Sequence, residues 1–196
     1  TWKDFQIRNN SELVAIYGNF TNRVLSLINK YYDGKIPNPD SKNNTDKLVL
    51  NEVKSLKSKI ELSLNKFKFR EAIKNLMNIA RVGNKHLAET EPWKIKDSDP
   101  ERVEQILQTS YFIITYLSVL SEPFIPFTSY KLMKMIGLNN FSWDMLDNIS
   151  ENIDYSFKID KIEMLFRKIE DSEIDLQINK LNGCLLYTST SPRDNS

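Results

Sequence analysis

Residues 99–120 read DPERVEQILQTSYFIITYLSVL, and this stretch decides the fold. Asp99 can accept the free amides of a first helical turn, Pro100 suits the first helical position, and Glu101 puts an acid where the helix dipole favours one. Beyond these start signals, Val103, Ile106, Leu107, Tyr111, Ile114, Leu117 and Leu120 recur at helical spacing, while Phe112, Ile113 and Tyr116 fill the other faces. A helix that is apolar nearly all round belongs at the centre of a fold, with other helices laid around it. Its continuous apolar run, Tyr111 to Leu120, is about half the roughly 20 residues that a bilayer span needs, so it reads as a core helix.

The same period marks the neighbours. Leu13, Ile16, Tyr17, Phe20, Val24, Leu27, Ile28 and Tyr31 predict a helix over 12–31, with Asn10 or Ser11 as N-cap and Asp33-Gly34, then Pro37 and Pro39, as its stop. After a turn-rich loop, Val53, Leu56, Ile60, Leu64 and Phe67 predict a second helix. Ala72, Ile73, Leu76, Ile79, Ala80, Gly83 and Leu87 predict a third, which Glu91-Pro92 ends because proline drives the preceding residue out of the α region. Ser121-Glu122-Pro123 caps a helix over 124–136 that Gly137 closes, and Ile162, Leu165, Phe166 and Ile169 begin a last one. No alternating run of strand length precedes it. The expected fold is all-α, an antiparallel bundle of about five or six helices.

Composition narrows the function classes. The chain has 196 residues, 40% hydrophobic and 27% charged, enough for a real core. Its 27 Lys and Arg against 26 Asp and Glu leave a formal charge of +1, so any nucleic-acid binding must rest on a local patch. The single Cys184 and single His86 cannot make a disulfide or a structural zinc site between them. No Gly-rich phosphate loop, HExxH or Ser/His/Asp set is present, and Glu163, Glu170, Asp171, Glu173 and Asp175 among Lys161, Arg167 and Lys168 read as a solvated helix face. The opening Thr1-Trp2-Lys3-Asp4-Phe5 reads as a piece entered midway. Residues 183–196 abandon the helical period and read as a non-native read-through tail, to be kept out of fold reasoning.

Two features stand apart. Asn19 and Arg23 are one helical turn apart on the flank of the first helix that also carries Ser26 and Lys30. An amide beside a planar guanidinium can read a base edge and its phosphate, or can be a solvated flank. Trp93, directly after Pro92 and followed by Lys94 and Lys96, is either a stacking platform with cations beside it or a plug between two helices.

Four blocks taken in order carry a resemblance. They are Trp2-Lys-Asp-Phe-Gln-Ile-Arg-Asn-Asn-Ser-Glu-Leu-Val-Ala-Ile-Tyr-Gly-Asn-Phe-Thr-Asn-Arg23 through Asn29-Lys30-Tyr31-Tyr32-Asp33-Gly34; Arg81-Val-Gly-Asn84-Lys85 leading to Glu91-Pro92-Trp93; Leu120-Ser-Glu-Pro-Phe-Ile-Pro-Phe127; and Leu165-Phe166-Arg-Lys-Ile169-Glu-Asp171. Over about 180 residues the sequence resembles the anticodon-binding domain of bacterial methionyl-tRNA synthetases, class I enzymes. The resemblance implies a helical bundle following a Rossmann catalytic domain. It places Asn19 and Arg23 on the positions that recognise the first anticodon base, a cytosine, Trp93 on the aromatic that stacks on it, and Pro92 beside that aromatic. Lys30, Lys94 and Lys96 are then candidate contacts to the RNA backbone.

The class I ATP-binding motifs and the family's zinc-knuckle cysteines do not occur in this sequence. The expectation is a fragment that binds RNA without catalysis, has no cofactor or metal of its own, and leaves ATP with magnesium, and zinc, to the catalytic part. Expected partners are the anticodon loop of tRNA(Met) and the catalytic domain in cis, with no DNA and no membrane, in the cytoplasm. The implied division is a connector at 1–10, the anticodon-binding bundle at 11–137, an extension with a last helix at 138–182, and the tail at 183–196. The competing readings are a helical protein-interaction module and the anticodon domain of a sister class I synthetase for isoleucine, valine, leucine or cysteine.

Overall fold

The computed structural model describes residues 1–41, 43–139 and 142–188, with the side chains of the last helix described as far as Leu181. It begins as one long helical rod. Helix α1 (Trp2–Arg8) continues into a π-helical segment (Asn9–Gly18) and then into α2 (Asn19–Tyr32). The rod therefore starts at Trp2, and neither Asn10 nor Ser11 caps it. Thr1 does so instead, its hydroxyl accepting from the Asp4 amide and donating to the Asp4 carboxylate. The Asn10 side chain has a tertiary use: its amide donates to the Ile169 carbonyl at 3.0 Å and its oxygen accepts from the Ile169 amide at 2.9 Å.

The bundle is completed by α3 (Asn44–Asn65), α4 (Phe69–Thr90), α6 (Pro100–Leu120) and α7 (Pro126–Met135), with a one-turn helix α5 (Pro92–Ile95) between α4 and α6. As its apolar faces require, α6 lies at the centre, with every residue from Ile106 to Leu120 buried, and it packs against α2, α3, α4, α5 and α7. Its buried tyrosines serve carbonyls that helix ends leave free: Tyr111 donates to Ile136 and Tyr116 to Leu146, each at 2.7 Å. Burial holds both phenols well above their ordinary range, so they remain donors. Helix α7 starts at Pro126 rather than Phe124, because the amides of Phe124 and Ile125 turn back to the Ser121 carbonyl and extend the exit from α6.

Beyond a 3₁₀ turn (Asp144–Leu146) and a short α8 (Ile149–Asn152), the chain departs from the expected last helix. Ile162, Leu165, Phe166 and Ile169 lie in a strap without regular secondary structure, and the helix α9 begins only at Asp171, running to Thr188. Isolated pairings rather than a period hold the strap. The Ile159 amide donates to the Gly34 carbonyl at 2.8 Å, Phe166 meets Tyr17 edge to face at 5.4 Å, and Asn9 donates to the Arg167 carbonyl at 3.0 Å. Gly34, at φ 78°, has to be glycine, since a Cβ there would lie 2.2 Å from the Ile159 carbonyl oxygen. Helix α9 extends six residues into the stretch that the sequence set aside as tail, and residues 189–196 lie outside those described. Among the described residues no strand forms, only one antiparallel bridge between Lys35 and Lys158.

Candidate nucleic-acid interface

The candidate residues lie where α2 passes α5. Helix α2 turns Phe20, Thr21, Val24, Leu25 and Ile28 inward and leaves Asn19, Asn22, Ser26, Asn29 and Lys30 exposed, with Arg23 at the boundary. Asn19 is the first residue after the π-helical segment, whose wider turns are common at functional sites. The block Arg81-Val-Gly-Asn84 of α4 fixes that segment from below. Arg81 forms an ion pair with Glu12, the Asn84 amide donates to the Ile16 carbonyl at 3.0 Å, and Gly83 lets the Phe20 ring approach so closely that a Cβ would lie 2.4 Å from it. From the other side Phe166 closes over Gly18, where a Cβ would meet its ring at 3.1 Å. The π-helical segment is thus held by α4 and by Phe166 before the chain reaches Asn19.

Trp93 is presented by a backbone device. Glu91, forced out of the α region by Pro92, takes φ 41° and ends α4 with its amide on the Leu87 carbonyl. Pro92 is buried and starts α5, so Trp93 emerges one residue later with 39% of its surface exposed. The Arg23 guanidinium lies over its indole, 5.3 Å from the ring centroid, which joins the two sequence features into one patch. Pro92 fixes the turn rather than offering a surface.

The three flanking lysines differ. Lys94 is tied to Glu91 at 2.9 Å. Lys30 and Lys96 have no carboxylate partner among the described residues, and both ammonium groups sit over the ring of Tyr31, at 5.6 and 4.6 Å from its centroid. The periodicity of α2 reads Tyr31 as a core position, which its half-buried state partly bears out. The lysine beside it was the only signal of a second role.

His86 lies in the bundle interior. It is buried on α4, with its Nε2 3.6 Å from the Asp46 carboxylate, which Arg102 grips through both of its terminal nitrogens. Burial lowers the His86 pKa, opposed by Asp46. Among the described residues no group of histidine, cysteine and carboxylate side chains is arranged to hold a metal ion, and no helix is long and apolar enough to cross a membrane.

The fold is thus an all-helical bundle wrapped around one buried helix, with an exposed indole under an arginine at the edge of a polar helix face. Sequence comparison makes this specific: the family described as the anticodon binding domain of methionyl tRNA ligase matches residues 36–184, and the chain belongs to that family. Methionine–tRNA ligases from Phocaeicola vulgatus and Flavobacterium psychrophilum are each 48% identical to it, over 181 and 184 residues. These alignments take in 92% and 93% of this chain but only 26% and 27% of the relatives, so the chain spans about a quarter of their length. The fold is also that of the apo methionyl-tRNA synthetase of Mycobacterium tuberculosis, with a TM-score of 0.74 over 84% of this chain and 34% of that one, at 19% identity.

Proposed function

We propose that this chain is the anticodon-reading part of a methionine–tRNA ligase and that it binds the anticodon loop of tRNA(Met). The observation that carries the reading is the Arg23–Trp93 pair beside the exposed Asn19, in a chain of this family. Single-stranded loops are read by stacking a splayed-out base on an aromatic and hydrogen-bonding its edge. Trp93 supplies stacking that tolerates any base. Asn19 and Arg23 turn it into a preference for cytosine at the first anticodon position, since an amide both donates and accepts and a guanidinium offers a planar fork of donors. Lys30 and Lys96 carry free charges toward the backbone, whereas Lys94 has to exchange Glu91 for a phosphate to do the same.

In the parent enzyme the catalytic domain, in cis, attaches methionine to the bound tRNA with ATP, and this bundle contributes the recognition. The test is binding of the 196-residue chain to an anticodon stem-loop RNA. Trp93→Ala is expected to weaken it by about 1–3 kcal/mol, the scale of one base stack. Replacing the cytosine at the first anticodon position should also weaken it, which a sister synthetase domain would not register. RNA binding indifferent to both changes would overturn the proposal.

A further inference from the structure

Resting on that reading, we propose that Lys30, Tyr31 and Lys96 form a second subsite, which takes a backbone phosphodiester of the same RNA strand next to the base held by Trp93. Both ammonium groups lie over the Tyr31 ring, and among the described residues neither has a carboxylate partner. Lys94, the third lysine flanking Trp93, holds the Glu91 carboxylate. Lys30 and Lys96 instead come from different elements, the end of α2 and the residue after α5, to the ring of Tyr31. Two like charges drawn to one ring repel each other. The negative face of the ring offsets part of this, and a phosphate would offset more.

The ring also limits where the ammonium groups can go. A lysine is ordinarily a mobile point charge on a flexible stem. Tyr31 is anchored by its half-buried contact with the core, so it holds both charges at a fixed level of α2. That level lies eight residues beyond Arg23, about 12 Å along the helix at 1.5 Å per residue. Arg23 on Trp93 and Lys96 on Tyr31 are thus two successive rungs between α2 and α5, the first for a base and the second for the strand that continues from it. Tyr31 is a positioning residue and the two lysines make the contact.

The experiment measures stem-loop affinity of the full 196-residue chain as a function of salt. Each phosphate contact to a single strand adds about 0.7 to the slope of log K against log salt. Lys30→Gln and Lys96→Gln are each expected to remove part of that slope, the double variant about all of it, and each to weaken cytosine and non-cytosine loops by the same factor. Lys74→Gln, on α4 some 16 residues before its end and roughly 24 Å away along the helix, is expected to leave the slope alone. Tyr31→Leu should weaken binding about two- to fivefold, the size of an exposed cation–π hold, and Tyr31→Phe should restore it. A slope unchanged in both lysine variants, while Trp93→Ala and the cytosine swap still weaken binding, would overturn the subsite and leave the anticodon reading intact. A Phe variant as weak as the Leu variant would remove the ring from the site. Binding that ignores Trp93 and the cytosine would fail the reading itself.

Discussion

Arg23 reaches two surfaces at once. Its guanidinium lies 5.3 Å from the Trp93 centroid, and its place one turn after Asn19 keeps it on the exposed side of α2. A planar fork can stack on the indole and still present donors at its edge, which an ammonium cannot do. Arg23→Lys therefore retains the charge and loses the geometry. Affinity for a cytosine loop over a uracil loop should narrow by about 1–3 kcal/mol, the scale of one bidentate base contact, while the salt dependence stays at the parent value. Competition between the two loops for the variant checks this, and an undiminished preference would count against a base-reading role for Arg23.

Among the elements, the π-helical segment and α4 decide where Asn19 and Arg23 stand. Gly83 is the contact that matters most: the Phe20 ring occupies the place of its missing Cβ, at 2.4 Å. Gly83→Ala would favour α4 by intrinsic propensity but force α2 outward. The steric term should win, with a net loss of about 1–3 kcal/mol in urea unfolding and weaker stem-loop binding. Three of the four sequence blocks that carried the family resemblance meet at this segment. Arg81 and Asn84 hold Glu12 and the Ile16 carbonyl, Ser121 shares a 3.2 Å hydrogen bond with Tyr17, and Phe166 covers Gly18. The motif residues thus act largely as the mounting of the exposed face of α2.

For the whole molecule, the buried cluster of Asp46, Arg102 and His86 joins α3, α6 and α4 and makes stability depend on pH. Burial depresses the His86 pKa in the folded chain, while Asp46 and Glu89 favour its charged form and Arg102 opposes it. The unfolded chain takes up this proton near the ordinary histidine value of 6.5. The contribution is therefore full above that value and is lost as pH falls through the folded-state pKa. The thermal midpoint should drop between about pH 7 and pH 5, and His86→Gln should flatten that slope whatever it does to the midpoint at neutral pH. Much of the architecture was legible beforehand. The buried α6, the proline-led start at Asp99-Pro100 and the stop at Glu91-Pro92 follow from helical period and from local rules of capping and proline sterics, which act within one turn. The same rules exposed Asn19 and Arg23 as a pair. What they do not reach is contact between residues far apart in sequence. The strap at Ile162–Ile169 has helical spacing, yet it forms no helix, because Phe166 packs over Gly18 and Tyr17 and the Ile169 backbone pairs with Asn10. Likewise Tyr31 reads as core from its period. Only the tertiary structure brings Lys96 to it from another element and sets Arg23 on Trp93, because side-chain electrostatics across helices depends on where the packed core places their exposed edges.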